Sequence, residues 1–304
     1  MFTDLIPNVC LCVAEEADKD GNLYTGPNTE ETPTIVEATA FKSGVVIVQV
    51  NKLVDKVTRI DIPGEWVDVV VPTEEPCVIE PIMTRDPQYI KDVHVLQGMM
   101  AIKGIYAKHL VTRMNHGIGF NTAAIELLLP TYGEELGLKG KICTNWVSNP
   151  IPAMIPAIET GWVKSVVAFG SELGMEDYVK ERSDVFFTGV DGSLRSNRCY
   201  AQMAGMYGID MFTGSTLQMD ADGNSSTVTK GRITGFGGAP NMGSNPHGRR
   251  HSSPAWNSMI TNPSDPMAKG NKLVTQIVRT QTKAGPTFVE QLDAVEVGKQ
   301  AGFA

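Results

Sequence analysis

Residues 115–130, NHGIGFNTAAIELLLP, join the end of a strand-like run to a glycine turn and an apolar helical segment. Gly117 and Gly119 let the chain turn tightly, while the amide groups at the start of the helix point toward one spot. That spot suits an oxyanion or a carboxylate. The same pattern is also typical of a plain turn between two elements. The third glycine of a dinucleotide-binding motif is missing, so Ala123 or Ala124 would have to take its place.

The flanking sequence predicts an α/β fold, because its apolar runs are continuous rather than alternating and therefore indicate strands covered on both faces. Residues 34–54, TIVEATAFKSGVVIVQVNKLV, are expected to form two strands after a first strand in the opening residues. Helices are predicted from Asp86, as an N-cap, and from Asn121, as a second N-cap. Four prolines within residues 72–87 predict a domain junction, which divides the chain into 1–82 and 83–304.

Composition limits the function. The 304 residues carry a formal net charge of −8, so general binding to nucleic acid or to an anionic membrane surface is not expected. Five scattered cysteines predict reduced, buried thiols in a cytoplasmic protein and favour neither a disulfide nor a zinc site. No export leader or membrane-length apolar run is evident, so we expect a soluble, non-exported chain. We expect no bound metal.

A second candidate anion site lies in GFGGAPNMGSNPHGRRH, residues 235–251. Gly235, Gly237 and Gly238 would let a substrate lie against bare backbone. The charges that could pair with a carboxylate or phosphate come from Arg249, Arg250 and His251. The alternative is a solvated basic turn.

Acidic residues offer a third candidate site in AFGSELGMEDY, residues 168–178. Glu172 follows a strand-like run and could be a nucleophile, whereas Glu176 and Asp177 are more simply read as acids near the positive end of a helix. A later turn with Asp191, Ser193, Arg195 and Arg198 is expected to be exposed. The sequence shows no serine-hydrolase elbow, P-loop or zinc-protease motif.

Four segments together closely resemble the alpha subunits of malonate decarboxylases, within the coenzyme A transferase superfamily: residues 12–33, 115–145, 169–178 and 231–256. The resemblance implies two related open-sheet domains of the coenzyme A transferase type. It also implies an acyl carrier protein transferase that converts acetyl-S-carrier and malonate into malonyl-S-carrier and acetate. Because such subunits are longer than this chain, we expect it to be an internal portion with an incomplete first domain.

The resemblance further implies partners and a mechanism. The expected partners are the acyl carrier protein, the other decarboxylase subunits, malonate and acetate. No tightly bound cofactor is expected, because the coenzyme-A-like phosphoribosyl-dephospho-CoA group belongs to the carrier. Transferases that form a glutamyl thioester place the acid on the strand after the glycine turn. Here that strand reads KGKICTNW, with Thr144 and Asn145 where the acid would be. We therefore expect malonate to attack the thioester directly and to form a mixed anhydride.

Roles for individual residues follow from that expectation. Backbone amides are assigned to Gly117, Gly119, Gly237 and Gly238, and Asn145 is expected to orient the reacting carboxylate. The predicted substrate-binding residues are Asn115, Asn241, Arg249, Arg250 and His251. Two alternatives stay open. One is a conventional coenzyme A transferase with Glu172 as its covalent nucleophile, and the other is a non-catalytic piece that binds partner subunits.

Overall fold

The structure is a computed structural model, and it describes residues 6–26, 32–77, 86–168, 175–188, 209–230, 232–233, 273–282 and 285–300. Within these residues the chain is α/β, with two mainly parallel sheets that draw on separate stretches of sequence. The first sheet uses residues 9–72 and the second uses residues 113–276. The predicted boundary at residue 82 lies outside the described residues and stays a prediction.

The first sheet has the strand order β2-β1-β3-β4 in the described part of the chain. The neighbours of β1 are β2, which is antiparallel, and β3, which is parallel, and β4 extends the parallel part. Its elements are β1 (Val9–Ala17), β2 (Leu23–Tyr24), α1 (Thr32–Ala40), β3 (Val45–Leu53), a 3₁₀ turn (Gly64–Trp66) and β4 (Val69–Pro72).

The predicted strand at the start of residues 34–54 is wrong, because these residues lie in the helix α1. Two parallel strands need a long crossover between them, and a helix normally supplies it. Pro33 stands in the first turn, where a missing N–H costs little. Val36 then packs into the core with residues from β1 and β3. The requirement for a crossover therefore outweighs the local preference of β-branched residues for strands.

The first sheet is covered on one face only within the described residues. Register places Leu11 beside Ile47 and Ile47 beside Val69, so these side chains share a face. On that face Leu11 is 75% exposed, and Val45 and Val69 are exposed as well. The prediction of strands buried on both faces is thus wrong for this part of the first sheet. It is confirmed for the strand at residues 211–214 in the second sheet, all of whose residues are buried.

The rest of the described chain forms the second sheet and three separate two-stranded antiparallel sheets. Its elements follow one another in chain order. They are a 3₁₀ turn (Pro87–Tyr89), α2 (Asp92–Ala101), a π-helical turn (Ile102–Tyr106), α3 (Ala107–His109), β5 (Arg113–His116), α4 (Phe120–Leu128), a π-helical turn (Leu129–Gly133), β6 (Asn145–Val147), a 3₁₀ turn (Pro152–Met154), α5 (Ile155–Glu159), β7 (Ser165–Val167), α6 (Glu176–Glu181), β8 (Met211–Gly214), β9 (Gln218–Met219), β10 (Ser225–Ser226), β11 (Val228–Thr229), β12 (Arg232–Ile233), β13 (Leu273–Gln276), β14 (Gln281–Thr282), β15 (Gly285–Pro286) and α7 (Asp293–Gln300).

The strand order of this second sheet, within the described residues, is β13-β8-β5-β6-β7, and every pair is parallel. The chain proceeds outward from β5 to β6 and β7, and later elements return to the other side of β5. The order therefore reverses between β5 and β8. Large side chains such as Trp146, Trp162 and Leu129 are fully buried in the core behind this sheet.

Helix starts differ from prediction by a few residues. Asp86 does cap a turn, since its carboxylate accepts from the Gln88 amide, but that turn is 3₁₀ and α2 begins at Asp92. The N-cap of α4 is Gly119 rather than Asn121. The side chain of Asn121 instead donates to the carbonyl of Ile277, at 3.4 Å.

The cysteines follow the prediction in part. Cys10 and Cys143 are buried free thiols and Cys12 is half-buried, but Cys77 is exposed, which contradicts the expected burial. Cys199 lies outside the described residues. Burial raises the pKa of Cys12 to about 12, so this thiol is not a reactive thiolate at neutral pH. No helix in the described ranges is both long enough and apolar enough to span a membrane.

Candidate functional site

The reversal of strand order marks a crevice at the carboxyl ends of β5 and β8. In open parallel sheets ligands bind at such a point, because the loops on its two sides diverge and leave a cleft. Residues 117–119 leave β5 here, and Ser215 leaves β8. A Cβ atom added to Gly119 would lie 4.0 Å from Ser215 Oγ, so the two loops are neighbours. The topology thus selects the glycine turn as the candidate site.

The glycine turn is held by hydrogen bonds on its inner side. The amide of Gly117 donates to the carbonyl of Thr213 at 2.8 Å, which ties the turn to β8. The hydroxyl of Thr122 donates to the carbonyls of Gly119, at 2.7 Å, and of Gly117. Because its N–H is already engaged, Gly117 is not a donor to a substrate oxygen, and the predicted role of its amide is corrected.

The free donors belong to the next residues. Gly119 is the N-cap of α4, and the first amides of a helix have no partner within the helix. The backbone at Gly119 is ordinary, with φ of −85°, so the fold itself does not demand glycine there. Among the described residues, an added Cβ would meet no atom closer than 4.0 Å. In this part of the structure, space therefore lies open beside donors that carry the positive end of the helix dipole.

Arg279 brings a positive charge to this edge, and the sequence analysis did not identify it. It follows β13, and Ile277, two residues earlier, accepts a hydrogen bond from the side chain of Asn121 on α4. His94 stacks on Phe120, at 5.7 Å between ring centroids. Burial lowers the pKa of His94, and the charge of Arg279 lowers it further, so the guanidinium lies within electrostatic reach of the start of α4. Arg279 is exposed and has no ion pair with another described residue.

Two of the predicted site residues occupy other positions. The side chain of Asn115 is buried and donates to the carbonyl of Val147, so it joins β5 to β6 beneath the turn. Asn145 is the first residue of β6 and pairs with Arg113, the first residue of β5, so it lies at the opposite end of the strands from the glycine turn. Its side chain donates to Ser165 Oγ at 2.8 Å. The structure does not bring Asn145 to the proposed carboxylate.

The position after β6 also corrects the expected place of a nucleophile. β6 ends at Val147, so the residues that leave its carboxyl end are Ser148 and Asn149 rather than Thr144 and Asn145. Both Ser148 and Asn149 are buried. Neither is a carboxylate, so among the described residues no acid directly follows β6 at this edge.

The remaining predicted site residues lie outside the described residues: Glu172, Gly235, Gly237, Gly238, Asn241, Arg249, Arg250 and His251. Their expected roles stay predictions. The acids of α6, Glu176 and Asp177, do stand in the first turn of their helix, as the sequence indicated. In the described part of the chain no three His, Cys, Asp or Glu side chains are grouped to hold a metal ion.

Comparison with known proteins adds family evidence to this geometry. The family model described as malonate decarboxylase, alpha subunit, transporter matches residues 1–304. A relative from Malonomonas rubra, named acetyl-S-ACP:malonate ACP transferase, is 59% identical over 309 residues, which cover 99% of this chain and 56% of the relative.

Solved structures agree with the sequence relatives. A Pseudomonas malonate decarboxylase hetero-tetramer in complex with malonate matches with a TM-score of 0.80 and 62% identity, over 99% of this chain and 56% of that chain. A malonate decarboxylase alpha subunit from Acinetobacter baumannii matches with a TM-score of 0.80 and 61% identity, over the same shares. A Streptococcus mutans citrate lyase alpha subunit matches with a TM-score of 0.58 at 16% identity, over 93% of this chain and 52% of that chain, which bears on the fold alone. The chain spans about half the length of the relatives it matches.

Proposed function

The chain belongs to the malonate decarboxylase alpha-subunit family, and from that premise we propose that it exchanges acyl groups on a carrier-protein thioester. The substrates are acetyl-S-carrier and malonate, and the products are malonyl-S-carrier and acetate. The observation that carries this proposal is the glycine turn at the reversal of strand order. There the first amides of α4 lie beside space that is open among the described residues, and the charge of Arg279 acts on His94, which stacks on Phe120 of α4.

The reaction needs few side chains. A carboxylate oxygen of malonate attacks the acetyl carbonyl, and the carrier thiolate leaves to give an acetyl-malonyl anhydride. The thiolate then attacks the malonyl carbonyl, and acetate leaves with the bridging oxygen. The amides of Gly119 and the first turn of α4 stabilise the tetrahedral oxyanion, at about 3–4 kcal/mol for each well-placed donor. The site must also exclude water, because water would hydrolyse the anhydride.

A cation is needed for the second carboxylate of malonate. Arg279 can supply it, because a guanidinium binds a carboxylate or a phosphate through paired hydrogen bonds. Arg249, Arg250 and His251 remain further candidates for malonate or for the phosphate of the carrier's phosphoribosyl-dephospho-CoA group.

The assembly we propose has two coenzyme A transferase-like domains, residues 1–82 and 83–304, which face each other across the cleft. The partners are the acyl carrier protein and the other subunits of a cytoplasmic malonate decarboxylase. The relative described as a hetero-tetramer in complex with malonate supports this part of the proposal.

Isotope transfer tests the mechanism in a single turnover. The protein is assembled with partner subunits and acetyl-S-carrier, and malonate labelled with ¹⁸O in its carboxylates is added. Direct attack predicts acetate with one ¹⁸O atom, because the bridging oxygen comes from malonate. A covalent route through Glu172 predicts unlabelled acetate in the first turnover and an adduct at Glu172 that borohydride or hydroxylamine traps. Unlabelled acetate with that adduct would overturn the anhydride mechanism, while carrier binding without acetate release would favour a non-catalytic role.

A further inference from the structure

A chain of buried polar side chains lies directly beneath the glycine turn. Tyr106 donates its hydroxyl proton to Thr213 Oγ1 at 2.7 Å, and Tyr106 Oη lies 2.8 Å from His116 Nε2. On its other side, His116 Nδ1 lies 2.9 Å from Glu126 Oε1. The side chains of His116 and Glu126 are 1% and 2% exposed, and Tyr106 and Thr213 are fully buried. Buried polar groups cost free energy unless they are paired, so the loss of any one of these hydrogen bonds would destabilise the fold.

Each member of the chain belongs to a different element around the turn. Tyr106 ends the π-helical turn after α2, and Glu126 lies on α4, whose amino end carries the free amides. His116 is the last residue of β5 and directly precedes Gly117, while Thr213 lies opposite His116 on β8. The backbone carbonyl of Thr213 accepts the amide proton of Gly117. The side chains therefore fix both strands and the helix at the level where the turn begins.

The hydrogen bonds from Glu126 through His116 and Tyr106 to Thr213 can all be made with every side chain neutral. Because Tyr106 gives its only hydroxyl proton to Thr213, His116 Nε2–H is the donor to Tyr106 Oη. A neutral imidazole with its proton on Nε2 accepts at Nδ1, so the proton toward Glu126 comes from the carboxylic acid. Burial raises the pKa of Glu126, which favours that acid form, although the bond to His116 opposes the shift.

The surroundings of Glu126 agree with a neutral acid. Its second oxygen, Oε2, has no hydrogen-bond partner among the described residues, and an ionised carboxylate with an unpaired buried oxygen is costly. The other ionisable groups that act on this part of the core are His116, Tyr106 and Cys143. The rings of Trp146 and His116 pack edge to face, at 4.5 Å between centroids, and both residues are buried.

We propose that Glu126, His116, Tyr106 and Thr213 form a positioning unit that sets the direction of the amide donors at Gly119 and at the start of α4. The unit does not touch substrate. It acts on the tetrahedral intermediate through the turn, and this part of the inference rests on the proposed transferase function. A displacement of donors by about 1 Å can cost about 100-fold in rate, so a loss of the unit is visible in kcat.

The test compares isosteric variants in the assembled enzyme. Tyr106→Phe and Thr213→Val each remove one hydroxyl, and Thr39→Val is the matched control, because Thr39 is also fully buried and its hydroxyl donates to Ile35 at 2.8 Å in the first sheet unit. We expect Tyr106→Phe and Thr213→Val to lower kcat for acetate release by about 10- to 100-fold, with KM for malonate changed by less than about twofold. Thr39→Val should leave both kcat and KM unchanged, because Thr39 lies in α1 against the first sheet.

Conservative replacement of the acid provides a second readout. The side-chain amide in Glu126→Gln can donate to His116 Nδ1 as the acid does, so kcat should stay near that of the unmodified enzyme, whereas Glu126→Leu should lose activity. The unmodified enzyme should lose activity as pH rises and Glu126 ionises, and Glu126→Gln should not show that limb of the pH profile. Identical pH profiles for the two proteins, or a Thr39→Val loss as large as that of Thr213→Val, would overturn the proposal.

Hydrogen exchange separates this inference from the proposed function. Amide exchange over residues 117–122 should accelerate in Thr213→Val and in Tyr106→Phe, but not in Thr39→Val, whether or not the protein releases acetate. An inactive unmodified protein with faster exchange in Thr213→Val would refute the transferase reaction and retain the positioning unit. Unchanged exchange in both turn variants would refute the positioning unit itself.

Discussion

Replacement of Gly119 by alanine distinguishes a role of this residue in protein stability from a role in catalysis. An alanine Cβ would meet Ser215 Oγ and Thr122 Oγ1 at 4.0 Å, which is ordinary contact, and φ of −85° is allowed for alanine. Alanine is a poorer N-cap than glycine by about 0.5–1 kcal/mol. It also restricts the unfolded chain, which returns about 0.4–1 kcal/mol. The net change in the free energy of unfolding should therefore stay within about 0.5 kcal/mol.

The same methyl group should have a large effect on catalysis. It would occupy the space beside the free amides and move the thioester oxygen by about 1 Å, so kcat for acetate release should fall about 100-fold. The assay is acetate release from acetyl-S-carrier and malonate, with Tm measured on the same samples. Gly104→Ala is the control, because Gly104 is an exposed residue of a helical turn and an added Cβ would meet no described atom within 4 Å. Wild-type kcat in Gly119→Ala would refute the site, and a large fall in Tm would show that Gly119 serves the fold.

Three further predictions concern charge and burial. Arg279→Ala should raise KM for malonate about 10-fold or more, because it removes a charge-assisted hydrogen bond worth about 1.5–3 kcal/mol, and an unchanged KM would mean that another cation holds malonate. For Glu126→Gln, burial raises the native pKa of Glu126 above its ordinary value of 4.5, so the stability that its proton gives is full below that pH and is lost as pH rises through the raised pKa. Urea unfolding from about pH 5 to 8 should show the Gln variant gaining on the unmodified protein, and parallel curves would contradict this. Leu11→Lys should change the free energy of unfolding by less than about 1 kcal/mol, because this side chain is 75% exposed. Leu23→Ala, at a fully buried position, should lower that free energy by about 2–5 kcal/mol. Similar losses for both variants would show that Leu11 is covered.

The sequence alone was enough for local order at the candidate site. Residues 115–130 predict strand, glycine turn and helix, and the structure has β5, the turn and α4 in that order. This works because glycine content and apolar periodicity act over a few residues. The donor assignment succeeded less well. Among the described residues Gly119 faces open space, but the amide of Gly117 is bonded to Thr213, a partner 96 positions away that no local pattern indicates.

Local propensity failed where a long-range pairing decided the outcome. Residues 34–41 are rich in β-branched residues, yet α1 forms there because β1 and β3 pair in parallel and need a crossover. Asn145 was assigned to the site from its neighbours in sequence. Strand register puts it at the far end of the sheet. A run of apolar residues shows that a strand exists, but it does not show which residue ends that strand.

Contacts across great sequence separations were decided only by the tertiary structure. Tyr106 meets Thr213 across 107 residues, and Asn121 meets Ile277 across 156 residues, which brings Arg279 near α4. The sequence fixes which groups are present and how each short segment turns. The order of strands fixes which groups meet, because sheet pairing depends on the burial of apolar surface over the whole chain and not on any one segment.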